Sequence, residues 1–113
     1  MNLEELQVLL KPYIEQIKRL YGSHLNSIVL YGSYARKEQR PDSDIDIMIF
    51  VDLSEEELKR YQNDLSDITY DFNLDHETDI EPIGKSMEFF NKWAAVYPFY
   101  ANVRKEGITL YAA

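Results

Sequence analysis

Cysteine is absent from the 113 residues and histidine occurs only twice, which excludes disulfides, thiolate metal sites and a cysteine nucleophile. Long apolar runs are also absent: the longest, Ile47–Val51, is far short of the ~20 residues of a membrane span. The chain begins without the basic region of a signal peptide. We therefore expect a soluble, cytoplasmic protein that does not associate with membranes.

Basic residues are in the minority. Twelve Lys and Arg stand against twenty Asp and Glu, which gives a net charge of -8 at pH 7. A surface of this sign repels phosphate backbones, so we expect no direct nucleic-acid binding. Hydrophobic residues make up 45% and charged residues 28%, a globular composition. The length predicts a single domain over residues 1–113.

Helical spacing of apolar residues predicts an N-terminal helix that ends at Gly22. Pro12 interrupts the pattern, so this region is either one kinked helix or two short ones. Ser54 and Glu57 form a capping box, which predicts that a second helix begins there and runs on through Phe72. Further helices are expected after Ser86 and Pro98.

Strands are indicated by β-branched and alternating runs between these helices. A proline in the third run favours an edge position or the end of the strand. The expected strands cover residues 28–31, 44–49, 79–83 and 108–111.

Two acids alternate with isoleucines in the second strand. Asp44 and Asp46 share one face while Ile45, Ile47 and Ile49 share the other. Residues two apart on a strand lie ~6.6 Å apart, so the two carboxylates can converge on one or two metal ions. A site of oxygen ligands without Cys or His favours magnesium.

A Gly32-Ser33 turn follows the first strand, ten residues before the acids. Glycine leaves the backbone amides open to a phosphate, and Ser33 adds a hydroxyl donor. Arg36, Lys37 and Arg40 add positive charge nearby. Cations next to a carboxylate pair are typical of a site for a metal-complexed triphosphate.

Two segments carry a family resemblance. Leu30–Arg36 (LYGSYAR) together with Ser43–Ile47 (SDIDI) resembles the signature of the polymerase-beta-like nucleotidyltransferase superfamily, and the short chain resembles its minimal nucleotidyltransferase branch. The resemblance implies an α/β (α+β) nucleotidyltransferase fold, with a small mixed sheet flanked by helices. Lys37 departs from the pattern, because many relatives have glycine at this position.

The resemblance also implies roles for the acids. Asp44 and Asp46 are expected to hold two Mg²⁺ ions, with a third acid from a later strand that takes the proton from the attacking hydroxyl. Asp79 and Glu81 lie two apart on the third strand and therefore on the same face. We expect Asp79 to be this acid rather than Glu81. ATP is the expected substrate, bound at its phosphates by Gly32, Ser33 and Arg36.

Partners follow from the same resemblance. Minimal members are commonly encoded beside a helical HEPN protein, often a ribonuclease toxin, and some act as antitoxins that adenylylate a tyrosine on it. We therefore expect transfer of AMP from ATP to a HEPN-type toxin. Two alternatives stay open: an antitoxin that neutralises by binding alone, and transfer to a small molecule. Larger relatives carry a helical domain that binds the acceptor; without one, we expect a partner, or a second copy in a homo-oligomer, to hold it.

Overall fold

The computed structural model describes all 113 residues and places helices on both faces of a four-stranded sheet. No helix combines the length and the hydropathy that crossing a membrane requires. In chain order the elements are α1 (Leu3–Tyr21), β1 (Leu25–Tyr31), β2 (Ile45–Val51), α2 (Glu55–Leu58), α3 (Gln62–His76), β3 (Ile80–Ser86), α4 (Met87–Trp93), α5 (Pro98–Glu106) and β4 (Ile108–Ala112).

The sheet has the strand order β3-β2-β1-β4. Strand β1 runs antiparallel to both β2 and β4, whereas β2 and β3 are parallel. This is a small mixed sheet flanked by helices, so the expected α+β fold is confirmed. Pro82 lies in edge strand β3, one of the two positions that its sequence favoured and one where the missing N–H is tolerated.

Strand β2 is buried on both of its faces. Ile45, Ile47 and Ile49 belong to the larger core, which contains side chains from α1 and α3. Met48 and Phe50 point the other way, into a smaller core with α4 and α5. Asp46 lies on this second face, at the start of the strand. Helices α4 and α5 cover Met48 and Phe50 further along the strand and leave the end with Asp46 uncovered.

Helix α1 is a single helix that retains Pro12 in its interior. The proline removes one backbone donor, whose usual acceptor is the carbonyl of Val8, and both residues are exposed to water. Asn2 caps the helix through a capping box with Glu5, a signal that our sequence analysis missed. Inside, the Tyr13 hydroxyl lies 2.8 Å from Thr69 Oγ1 and joins α1 to α3.

The capping box at Ser54 is present, but the helix it begins is shorter than expected. Helix α2 ends at Leu58, a 3₁₀ turn follows over Lys59–Tyr61, and the helical path resumes as α3. The turn places the Tyr61 ring against that of Tyr21, with 5.0 Å between centroids. This tertiary contact is not encoded in the helical spacing, which is why the expectation of one continuous helix was wrong.

Candidate functional site

Parallel pairing of β2 and β3 gathers the acids at one end of the sheet. Asp46 lies directly beside Glu81, and Ile45 N donates a hydrogen bond of 2.8 Å to Asp79 O. The two strands therefore begin at the same level. Carboxylate oxygens of Asp44, Asp79 and Glu81 all lie within 4.8 Å of one another.

Mutual repulsion and partial burial raise three pKa values in this acid cluster, which consists of Asp44, Asp46, Asp79 and Glu81. A side-chain hydrogen bond with Asp44 is the main cause of the raised pKa of Asp79. The charge of Asp44 is the main cause for Glu81, and partial burial is the main cause for Asp46. Negative charge is thus concentrated beyond what the neighbouring cations neutralise, which favours binding of added cations.

The donor set of the acid cluster fits magnesium. All of its side chains offer carboxylate oxygens, the ligand type that Mg²⁺ prefers. Opposite ligands of an octahedral Mg²⁺ lie ~4.2 Å apart, so the 4.8 Å spacing of the three oxygens needs only small side-chain rotations. No histidine competes here, since His24 pairs with Asp52 and His76 stacks on Phe72.

Gly32 adopts a left-handed backbone conformation, with φ of +74°, directly after β1. A Cβ at this position would overlap Asp46 Oδ2, so only glycine lets the turn and the carboxylate approach this closely. The turn closes through hydrogen bonds from Arg36 N to Gly32 O, at 3.1 Å, and from Glu38 N to Ser33 O, at 2.9 Å. The Gly-Ser turn and Asp46 therefore lie side by side.

Lys37, the residue that departs from the family pattern, also has a left-handed conformation, with φ of +60°. Glycine adopts this conformation without steric cost, whereas a lysine adopts it with strain. The lysine therefore raises the energy of the turn.

Arg36 is exposed and bridges two acids. Its Nε lies 3.1 Å from Glu38 Oε2 and its Nη1 lies 3.6 Å from Glu106 Oε2. Both contacts help to raise its pKa, with the hydrogen bond to Glu38 as the main cause, so the guanidinium stays positive. Its charge also partly offsets the raised pKa of Asp46. This places a permanent cation beside the acids.

A cavity of about 460 Å³ opens between the Gly-Ser turn and α5. Its first wall contains Gly32, Arg36 and Asp46, whereas the other candidate site residues, Ser33, Asp44 and Asp79, do not line it. The second wall, which sequence reasoning missed, is one face of α5. Four residues line this wall, and their spacing of three and four along the chain indicates that they share a helix face. The spacing does not indicate that this face meets β1. The four residues are Phe99, Asn102, Val103 and Glu106.

Comparison with known proteins agrees with this architecture. Residues 10–95 match the model of the nucleotidyltransferase domain family. Two proteins of Methanocaldococcus jannaschii, each named "putative protein adenylyltransferase", are 32% and 34% identical to the chain. The first alignment covers 90% of this chain and 94% of the relative, and the second covers 77% and 92%.

Solved structures show the same fold at low identity. A chain from the crystal structure of a toxin-antitoxin with AMP-PNP aligns with a TM-score of 0.56 at 18% identity, covering 90% of this chain and 73% of the other. A chain from the toxin-antitoxin MntA-HepT gives 0.53 at 16%, covering 95% and 73%. The chain belongs to the nucleotidyltransferase domain family and is a nucleotidyltransferase, as the sequence signature predicted.

Proposed function

We propose that this protein transfers AMP from ATP to a tyrosine hydroxyl of a HEPN-type toxin in the cytoplasm and thereby acts as an antitoxin, with residues 1–113 as one catalytic domain. The observation that carries the proposal is the acid cluster beside the Gly-Ser turn at one end of the sheet. Two further findings support it: relatives bear adenylyltransferase names, and structural neighbours come from toxin-antitoxin crystals, one of them with AMP-PNP.

Asp44, Asp46 and Asp79 are the proposed magnesium ligands. Magnesium bound there would act as a Lewis acid toward the phosphates. The chain's own groups do the rest. Gly32 and Ser33 of the turn are proposed to receive the outer phosphates. Arg36, which lines the same cavity as Gly32, adds its fixed charge.

In the transfer step, the acceptor oxygen bonds to the α-phosphorus of ATP and the bond to the β-phosphate oxygen breaks, so that pyrophosphate leaves. The acceptor proton passes to Asp79. Asp79 suits this role because its carboxylate oxygen lies within 4.8 Å of that of Asp44 in the acid cluster. Glu81 is the alternative, since its carboxylate lies in the same cluster.

An aromatic surface at the start of α5 is the proposed contact for the toxin. Tyr97 is 46% exposed and lies beside Trp93 and Tyr100, with 5.7 Å between the ring centroids of each pair. Exposed aromatic clusters of this kind are enriched at protein interfaces. The surface adjoins the cavity, because Phe99 contacts both Tyr100 and Tyr31.

The test is transfer of radiolabel from α-labelled ATP, with magnesium, to the co-purified toxin. Wild type is expected to label the toxin. The Asp44→Asn/Asp46→Asn double variant should lose at least 100-fold in labelling rate, by analogy with other charge-stabilising groups. The control Asp71→Asn, an exposed change on α3, should match wild type. Equal labelling by the double variant would refute the assignment of the acid cluster.

Neutralisation by binding alone is the second candidate, and the net charge of -8 favours it for a basic partner. A growth assay separates the two functions. Loss of protection by the double variant, with the complex still formed, supports catalysis. Full protection by the same variant supports binding alone.

A further inference from the structure

We propose that the face of α5 toward the cavity reads the nucleoside and selects adenine, with Asn102 as the residue that determines base specificity and Phe99 as the stacking surface. This inference rests on the proposed nucleotidyl transfer and deepens it. The inference is based on the position of Phe99 and Asn102, an aromatic ring and an amide on one face of α5, opposite the Gly-Ser turn.

The cavity has the size and the two-sided construction of a small-molecule site. Its volume of about 460 Å³ lies within the ~300–1,000 Å³ typical of ligand pockets. One wall holds Gly32 and Asp46, where the phosphates are proposed to bind. A nucleotide with its phosphates on that wall directs its nucleoside along the cavity, and the opposite wall is α5.

Phe99 supplies the apolar part of the helix wall. It is 47% exposed although it is large and aromatic. Tyr31 holds it edge-on, with 5.6 Å between centroids and 76° between ring planes. An exposed aromatic ring stacks on purines and pyrimidines alike, so Phe99 contributes affinity without selecting a base.

Asn102 supplies the selective part. One turn after Phe99 on the same face, it offers an amide that both donates and accepts. The N6 and N7 edge of adenine offers one donor and one acceptor, which this amide matches with two hydrogen bonds, whereas the O6 and N7 edge of guanine offers two acceptors. With the N7 edge of the base toward Asn102, the amide therefore pairs better with adenine than with guanine.

Glu106 is the group on this wall that could reverse the preference, because a carboxylate accepts hydrogen bonds from the N1 and N2 donors of guanine. Its Oε2 already lies 3.6 Å from Arg36 Nη1. This ion pair joins α5 to the turn across the cavity. With Glu106 engaged, Asn102 remains the base-reading group of the wall.

The experiment measures binding of AMP-PNP and GMP-PNP to the full chain by isothermal titration calorimetry with magnesium. Wild type is expected to bind AMP-PNP about tenfold more tightly than GMP-PNP, the scale of one good amide-to-adenine pairing. Asn102→Ala should abolish this ratio. Phe99→Leu should weaken both nucleotides about tenfold and keep the ratio.

Asn63→Ala is the matched control, since Asn63 is exposed on α3 and does not line the cavity. It should leave both affinities unchanged. The inference is overturned if the wild-type affinity ratio survives Asn102→Ala, or if wild type binds both nucleotides equally. In either case the proposed transfer still stands if wild type labels the toxin. If wild type neither binds nucleotide nor labels the toxin, both proposals fail.

Discussion

A single missing side chain at residue 32 decides how closely the phosphate-binding turn approaches the acids. Gly32 combines a φ of +74° with the contact to Asp46, two constraints that no other residue type meets together. Gly22 has a similar φ of +59°, but a Cβ there would have no atom within 4 Å. Substitution of Gly22 therefore introduces backbone strain alone, whereas substitution of Gly32 introduces both strain and steric overlap with Asp46.

We predict that Gly32→Ala and Gly22→Ala each lower the free energy of unfolding by about 1–3 kcal/mol, because alanine disfavours positive φ. Only Gly32→Ala should also abolish nucleotidyl transfer, since its methyl group displaces Asp46. Urea unfolding and the labelling assay measure the two effects. Full activity in Gly32→Ala would contradict the proposed closeness of turn and acid.

Lys37 offers the opposite test, because it keeps a left-handed conformation that glycine adopts without cost. Lys37→Gly is expected to stabilise the chain by about 1 kcal/mol. Lys37→Ala removes the same charge and keeps the strain, so it should bring no gain. A gain of equal size in both variants, measured by thermal or urea unfolding, would assign the effect to charge instead.

At the scale of elements, the parallel pairing of β2 and β3 creates the acid cluster. Each strand supplies one carboxylate and the residue directly before it supplies another, and the register sets Asp46 beside Glu81. An edge strand shifted by one residue would turn Asp79 and Glu81 to the opposite face. The hydrogen bond from Ile45 N to Asp79 O is part of the pairing that holds the register.

The contribution of the acid cluster to the stability of the magnesium-free chain should fall as the pH rises from about 4 toward 7. The pKa values of Asp46, Asp79 and Glu81 are raised in the folded state. Such groups contribute stability below their unfolded pKa, and this stability is lost as the pH rises through the folded pKa. Asp44→Asn removes a repulsive neighbour of all three, so it should raise stability at pH 7 more than at pH 4.

Urea unfolding in EDTA at the two pH values measures this difference. Asp71→Asn, an exposed change on α3, is the control for a general reduction of negative charge. An identical pH dependence in wild type and Asp44→Asn would show that Asp44 is not the source of the repulsion.

At the scale of the whole molecule, the site depends on a central strand held from both sides. Ile47 and Met48 are both fully buried, one toward α1 and α3 and the other toward α4 and α5. This two-sided core fixes the strand whose first residues carry the acids. Ile83, on the edge strand, is 39% exposed and contributes less.

Ile47→Ala is therefore expected to lower the free energy of unfolding by about 3 kcal/mol, through lost burial and a residual cavity. Ile83→Ala should cost about 0.5 kcal/mol. Urea denaturation measures both losses, with the same dependence of unfolding free energy on urea concentration assumed for the two variants. Similar losses at both positions would mean that the sheet is not anchored at its centre.

The sequence by itself determined the strands, the alternation that puts Asp44 and Asp46 on one face, and the family, because these depend on local spacing and a short motif. The tertiary structure decided which distant segments meet. The face of α5 that closes the cavity, the interruption between α2 and α3 and the pairing of Arg36 with Glu106 all come from contacts between segments far apart in the chain. Local periodicity states which residues share a face, but only packing decides what that face touches.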